Sequence, residues 1–176
     1  ANTALAIGAD IDYVYVEGPA AGGEGSETLI LAAATMDKAL VNAEQYKVVK
    51  RVKGKDLTGL RYNPLYTFLP VDKDYAYVVS ADFVSTGDGT GIVHIAPAFG
   101  VDDLEIGKKH NLPILRLVSS EGRFIDAVTE FHGLWVKDAD PEIIRDLKKR
   151  GLMYRSTQYE HTYPFCWRCD TPLLYM

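Results

Sequence analysis

Gly89-Thr90-Gly91-Ile92-Val93-His94-Ile95-Ala96-Pro97-Ala98-Phe99-Gly100-Val101-Asp102-Asp103 packs several structural signals into one short run. Its glycines, with Thr86-Gly87-Asp88 ahead of them, read as a tight turn. Ile92 to Ala96 reads as a strand, and Pro97, which has no N–H to give a ladder, ends it. A helix is expected from about Asp102 to Lys109. Its acidic residues fall in the first turn and its basic ones in the last, as the helix dipole favours.

Outward from this run the chain alternates strand signals with loop signals. Ile11 to Glu17, Tyr46 to Val52 and Tyr75 to Val84 are rich in Val and Tyr and read as strands. Thr28 to Ala34 reads as a short buried strand leading into a brief helix near Met36 to Ala43. Gly18 to Ser26 is expected to be an exposed loop, and Thr58-Gly59 and Asn63-Pro64 punctuate an irregular connection. Ile114 to Val118 and Arg123 to Ile125 flank Ser119-Ser120-Glu121-Gly122 as a hairpin. The clearest helix runs from Pro141 to Arg150, with Asp140 as N-cap, Pro141 at the first helical position and Gly151 as the stop. The expected class is α+β, a β-barrel-like core with peripheral helices.

With 176 residues the chain suits one domain, or one with a tail. At 47% hydrophobic and 24% charged residues, it is neither disordered nor low in complexity. No apolar run approaches the ~20 residues needed to cross a bilayer, so a transmembrane protein is excluded and no membrane partner is expected. Ala1-Asn2-Thr3 has neither a start Met nor the pattern of a signal peptide, and reads as the cut end of a longer polypeptide. The formal net charge of −5 argues against a surface that grips nucleic acid all over, so any RNA contact must be local or shared with another domain. The two cysteines, Cys166 and Cys169, are too few for a disulfide framework and suggest an intracellular setting.

Each chemical signal has a plainer competitor. Gly89-Thr90-Gly91 lacks the Lys of a P-loop, and His94 occupies the third Gly position of a dinucleotide motif, so a close-approach turn is favoured. His94 lies within an apolar strand, where a packed core residue is the ordinary reading. The alternative puts its imidazole at the rim of a pocket formed by the Pro97–Gly100 loop. Asp102 and Asp103 open a helix and one suffices to cap it. The other is free to pair with a substrate ammonium group, and the residues alone do not choose between the two uses. Cys166-Trp167-Arg168-Cys169 has the spacing of half a zinc site, with His161 the nearby supplement and the remaining ligands outside this chain. Lys47, Lys50, Arg51, Lys53 and Lys55 read first as a solvated strand edge and second as an RNA backbone contact.

Residues 89–103 resemble the signature of the editing domain inserted in the catalytic domain of isoleucyl-tRNA synthetases. The related valyl and leucyl families keep the Gly-Thr-Gly turn but lack the His-x-Ala-Pro-x-Phe-Gly run. Tyr163-Pro164-Phe165-Cys166-Trp167-Arg168-Cys169-Asp170-Thr171-Pro172-Leu173 is similar to the segment where such a chain returns to the aminoacylation domain. Asn2 resembles the Asn after the family's Thr-rich stretch. The resemblance implies an editing domain over residues 1–155 and a returning segment over 156–176. The Thr-rich stretch would lie just before Ala1, and the signatures of the synthetic site are missing, so no amino-acid activation is expected.

An apolar pocket that accepts isoleucine rejects valine poorly, because one methylene is worth only ~1–3 kcal/mol, a value for which this discrimination is the standard example. The resemblance implies the remedy, hydrolysis of Val-tRNA(Ile), and of valyl-adenylate, at a second site too small for isoleucine. It makes Asp103 the catalytic residue that binds the α-ammonium group. His94 becomes a side-chain gate, Phe99 a pocket wall and Asn2 a support at the substrate end. It implies no cofactor for editing, zinc at Cys166 and Cys169 only in the full-length protein, and a cytoplasmic setting. Its implied partners are the valine-bearing tRNA(Ile) acceptor end and the parent's catalytic domain. The alternative is a noncatalytic module that docks the acceptor end.

Overall fold

Two small three-stranded sheets set the architecture, in a computed structural model that describes residues 1–20, 24–158, 164–168 and 172–174. The strands are β1 (Ala4–Ile7), β2 (Asp12–Pro19), β3 (Ser26–Ala32), β4 (Lys47–Lys53), β5 (Tyr77–Ser80) and β6 (Ile92–Ile95). Among the described residues three α-helices accompany them, α1 (Met36–Ala39), α2 (Val101–Lys109) and α3 (Asp140–Lys149). The first sheet has the order β5-β1-β6, with β1 parallel to β5 and antiparallel to β6. The second is an antiparallel meander, β3-β2-β4, whose register slips at Tyr15/Val16 opposite β4.

The expected barrel is therefore corrected. Among the described residues the strands form two separate sheets and no closed barrel, because each ladder stops after three strands. What joins the sheets is packing. Ile7 and Val78 from the first meet Tyr13 and Ala32 from the second around Leu57. The Tyr13 hydroxyl accepts the Gly8 N–H at 3.1 Å and donates to the Gly91 carbonyl at 2.6 Å, so a buried phenol satisfies polar groups in the segments linking both sheets. Gly91 sits in the left-handed region at φ 71°, and a Cβ there would lie 2.5 Å from that of Ala32. Only glycine lets this turn press on β3, where the Ala32 N–H donates to the Thr90 carbonyl at 2.8 Å.

Several local expectations shift. Gly18 and Pro19 belong to β2 rather than to a loop, leaving a shorter hairpin tip whose residues 21–23 lie outside the described set. The hairpin around 119–122 reduces to a turn with one bridge, Val118 to Phe124. Asp140 is the first residue of α3 and not its cap, which is Ala139 without a side-chain bond. Leu117, Val128 and Phe131 form a further small core with Tyr66, Phe68 and Ile143, so this irregular region is held by aromatic packing rather than by strands.

Candidate functional site

The end of β6 builds the site. After Ile95 the chain turns through Ala96–Phe99, closed by the Phe99 N–H donating to the Ala96 carbonyl at 2.9 Å, and Gly100 starts α2 in an extended conformation. A Cβ on Gly107 would lie 2.8 Å from the Pro97 ring, so the glycine lets α2 rest directly on the proline that stops the strand. That contact holds the last turn of α2 beside the strand end, on the helix face that Asp103 shares four residues earlier.

Neither aspartate caps α2, which corrects the capping expectation. Asp102 is exposed, whereas Asp103 is half-buried and its Oδ2 accepts the Ala96 N–H at 2.9 Å. One carboxylate oxygen thus stitches helix to strand, and Oδ1 takes no hydrogen bond among the described residues. A half-buried anion with one oxygen anchored is suited to a charge-assisted bond with a cation.

His94 is exposed on β6, not packed in the core, and stands opposite Leu5 in the antiparallel register. Directly opposed residues project on one face, so His94 and Leu5 are side by side. Leu5 and Asn2 line a cavity of about 320 Å³ with Tyr62 and Tyr66, and the Tyr62 hydroxyl donates to Asn2 Oδ1. Burial, and secondarily Tyr75, pushes the Tyr62 phenol up to about 12, so it stays protonated and a donor.

Phe99 lines a second, largely apolar cavity of about 400 Å³ with Phe68, Phe124 and Phe131, which shares Ala1 and Tyr66 with the first. His94 and Asp103 line neither cavity. Leu5 thus pairs with His94 and lines the cavity of Asn2, Asp103 is held at the strand end by Ala96, and Phe99 lines the adjoining aromatic cavity. Leu5, Tyr62 and Tyr66 were not anticipated, since they reach the site only by long-range pairing. Cys166 is a half-buried free thiol, whereas Cys169 and His161 lie outside the described residues. Among the described residues no three metal-binding side chains converge. Nor is any described helix long and apolar enough to cross a membrane.

No family profile matches the chain. Curated relatives do. The isoleucine–tRNA ligase of Clostridium novyi (strain NT) is 50% identical over 174 residues, spanning 99% of this chain and 16% of that enzyme. The isoleucine–tRNA ligase of Thermoplasma acidophilum is 41% identical over the same length and shares. The crystal structure of GlLeuRS-CP1 superposes with a TM-score of 0.63 at 15% identity, covering 90% of this chain and 79% of that one, a likeness of fold alone. The chain therefore corresponds to one stretch of isoleucine–tRNA ligase, about 16% of such an enzyme's length, in the fold of a CP1 domain.

Proposed function

We propose that this chain is an editing domain that hydrolyses valine misattached to tRNA(Ile), and valyl-adenylate. Kinship along 99% of the chain with isoleucine–tRNA ligases supports the reading. The observation that carries it is the half-buried Asp103, with one oxygen fixed on the Ala96 N–H and the other free for an ammonium group. Every aminoacyl ester carries that cation, and binding it would orient the ester carbonyl. His94, exposed beside Leu5, restricts the side chain the site accepts. Asn2 supports the substrate end, and Phe99 supports the wall from behind. No side chain is assigned as general base. Residues 156–176 lead back toward the aminoacylation domain, and zinc, where the parent protein holds it, would use Cys166 and Cys169. The partners are the tRNA(Ile) acceptor end and that catalytic domain, in the cytoplasm.

Deacylation of Val-tRNA(Ile) and Ile-tRNA(Ile) tests this reading in the wild type, Asp103→Ala and His94→Ala. The valyl ester alone should be hydrolysed by the wild type. Asp103→Ala should abolish that activity, and His94→Ala should extend it to the isoleucyl ester. If neither this chain nor the chain preceded by a Thr-rich stretch hydrolyses either ester, the catalytic reading falls and a docking module is left.

A further inference from the structure

Resting on that reading, we propose that Tyr62 is a positioning residue whose hydroxyl holds the Asn2 side-chain amide so that its NH2 group donates to the aminoacyl ester. A closed circuit of hydrogen bonds ties the two residues together. The Ala76 N–H donates to the Thr3 carbonyl at 2.8 Å, and the Tyr62 N–H donates to the Ala76 carbonyl at 3.0 Å. The Tyr62 hydroxyl then returns to Asn2, the residue bonded to Thr3. Asn2 and Tyr62, 60 positions apart, are thus held by both backbone and side chain.

Ala76 is the joint of this circuit and it is strained. It is buried and lies at φ 61°, the left-handed region that a residue with a Cβ rarely adopts. Such a conformation persists where the surroundings over-determine it, and it clusters at functional sites. The segment leading into Tyr62 is pinned at two points just before it. Val78 accepts the Gly59 N–H at 2.8 Å through its carbonyl, and the Arg61 guanidinium grips both oxygens of Asp74 at 2.8 Å.

The chemistry follows from the amide itself. An asparagine side chain has one accepting oxygen and two N–H donors. With Oδ1 occupied by a phenol that stays protonated, what Asn2 offers a ligand is its donors. The ester carbonyl and the ribose oxygens of an aminoacyl-tRNA end are acceptors. The cavity that Asn2 and Tyr62 share is also lined by Leu5, the cross-strand neighbour of the proposed gate His94.

Steady-state deacylation of Val-tRNA(Ile) by wild type, Tyr62→Phe, Asn2→Ala and the double variant tests this, with thermal melting alongside. Tyr62→Phe should lower kcat/KM about tenfold, the effect of one supporting hydrogen bond. The double variant should be no slower than Asn2→Ala, because Tyr62 acts through Asn2. Asn2→Asp keeps an acceptor for Tyr62 but loses the NH2 donors, so it should melt like the wild type yet lose as much activity as Asn2→Ala. An unchanged Tyr62→Phe, multiplicative losses in the double variant, or an active Asn2→Asp would each overturn the proposal while leaving the editing reading intact. A wild type that hydrolyses neither ester, alone or preceded by a Thr-rich stretch, sinks both.

Discussion

Asp103 carries two loads that substitution can separate. Its Oδ2 accepts the Ala96 N–H, a bond that ties α2 to the end of β6, and its charge is the part assigned to the substrate ammonium. Asp103→Asn keeps an acceptor for Ala96 but removes the charge, so it should melt within about 0.5 kcal/mol of the wild type and lose deacylation. Asp103→Ala should lose deacylation and about 1–2 kcal/mol of stability as well, because the Ala96 N–H is left without its partner. Chemical denaturation alongside deacylation separates the two. Equal stability of Asn and Ala variants would show that the Ala96 bond contributes nothing. The aspartate pair was legible as a pair, from two acidic residues opening a helix. Its division of labour was not, because the Ala96 N–H that selects Asp103 is offered by a turn whose shape no local signal specifies. His94 was legible as an anomaly, a polar residue in Ile-Val-His-Ile, but its exposure depends on what β1 presents opposite it.

Along the elements, the legible ones are those whose local chemistry agrees with their packing. α2 forms where its charges predict, with Asp102 and Asp103 in the first turn and Lys108 and Lys109 in the last. β1 escaped notice although it is the central strand of its sheet. Ala4-Leu5-Ala6-Ile7 shows no strong alternation, because both of its faces are covered, and alanine carries no strand preference. Its small side chains suit a strand flanked on both edges, a reason visible only once β5 and β6 are in place. Gly107 makes the converse point. In an exposed helix Gly→Ala gains about 1 kcal/mol. Here the added methyl would meet the Pro97 ring at 2.8 Å, and the sign should reverse. Gly107→Ala is expected to destabilise the chain by about 1 kcal/mol and to slow deacylation, since α2 must lift away from Pro97 and take Asp103 with it. A stabilised, fully active Gly107→Ala would mean that α2 adjusts freely and that Pro97 does not position it.

For the molecule as a whole, strand-rich sequence with small loops suggested a barrel, yet the sheets are joined by a hydrophobic seam, one phenol and the Ala32–Thr90 backbone bond. Whether strands close a ring depends on edge pairing between segments far apart in sequence, and period-two patterning is identical in either case. The seam makes Tyr13 the residue whose loss the entire fold should feel. Tyr13→Phe keeps the ring that packs with Ile7, Ala32, Leu57 and Val78, and removes only the oxygen bound to the Gly8 N–H and the Gly91 carbonyl. Two buried groups then lack partners, so the variant should lose about 1–3 kcal/mol at neutral pH. The same oxygen gives a second reading in alkali. Burial raises the Tyr13 phenol above its ordinary value of 10.0, against a smaller opposing effect of the Gly8 bond. The folded chain therefore keeps this proton at pH values where the unfolded chain has released it, and stability falls as pH rises above about 10. Phenylalanine cannot titrate, so Tyr13→Phe should start less stable but fall less steeply, by up to about one proton in the slope of unfolding free energy against pH. Denaturant melts from pH 7 to 11 measure both quantities. A variant that is less stable at pH 7 yet runs parallel to the wild type in alkali would keep the hydrogen bonds and refute the titration. One that matches the wild type at pH 7 would show that the seam holds the two sheets without its phenol.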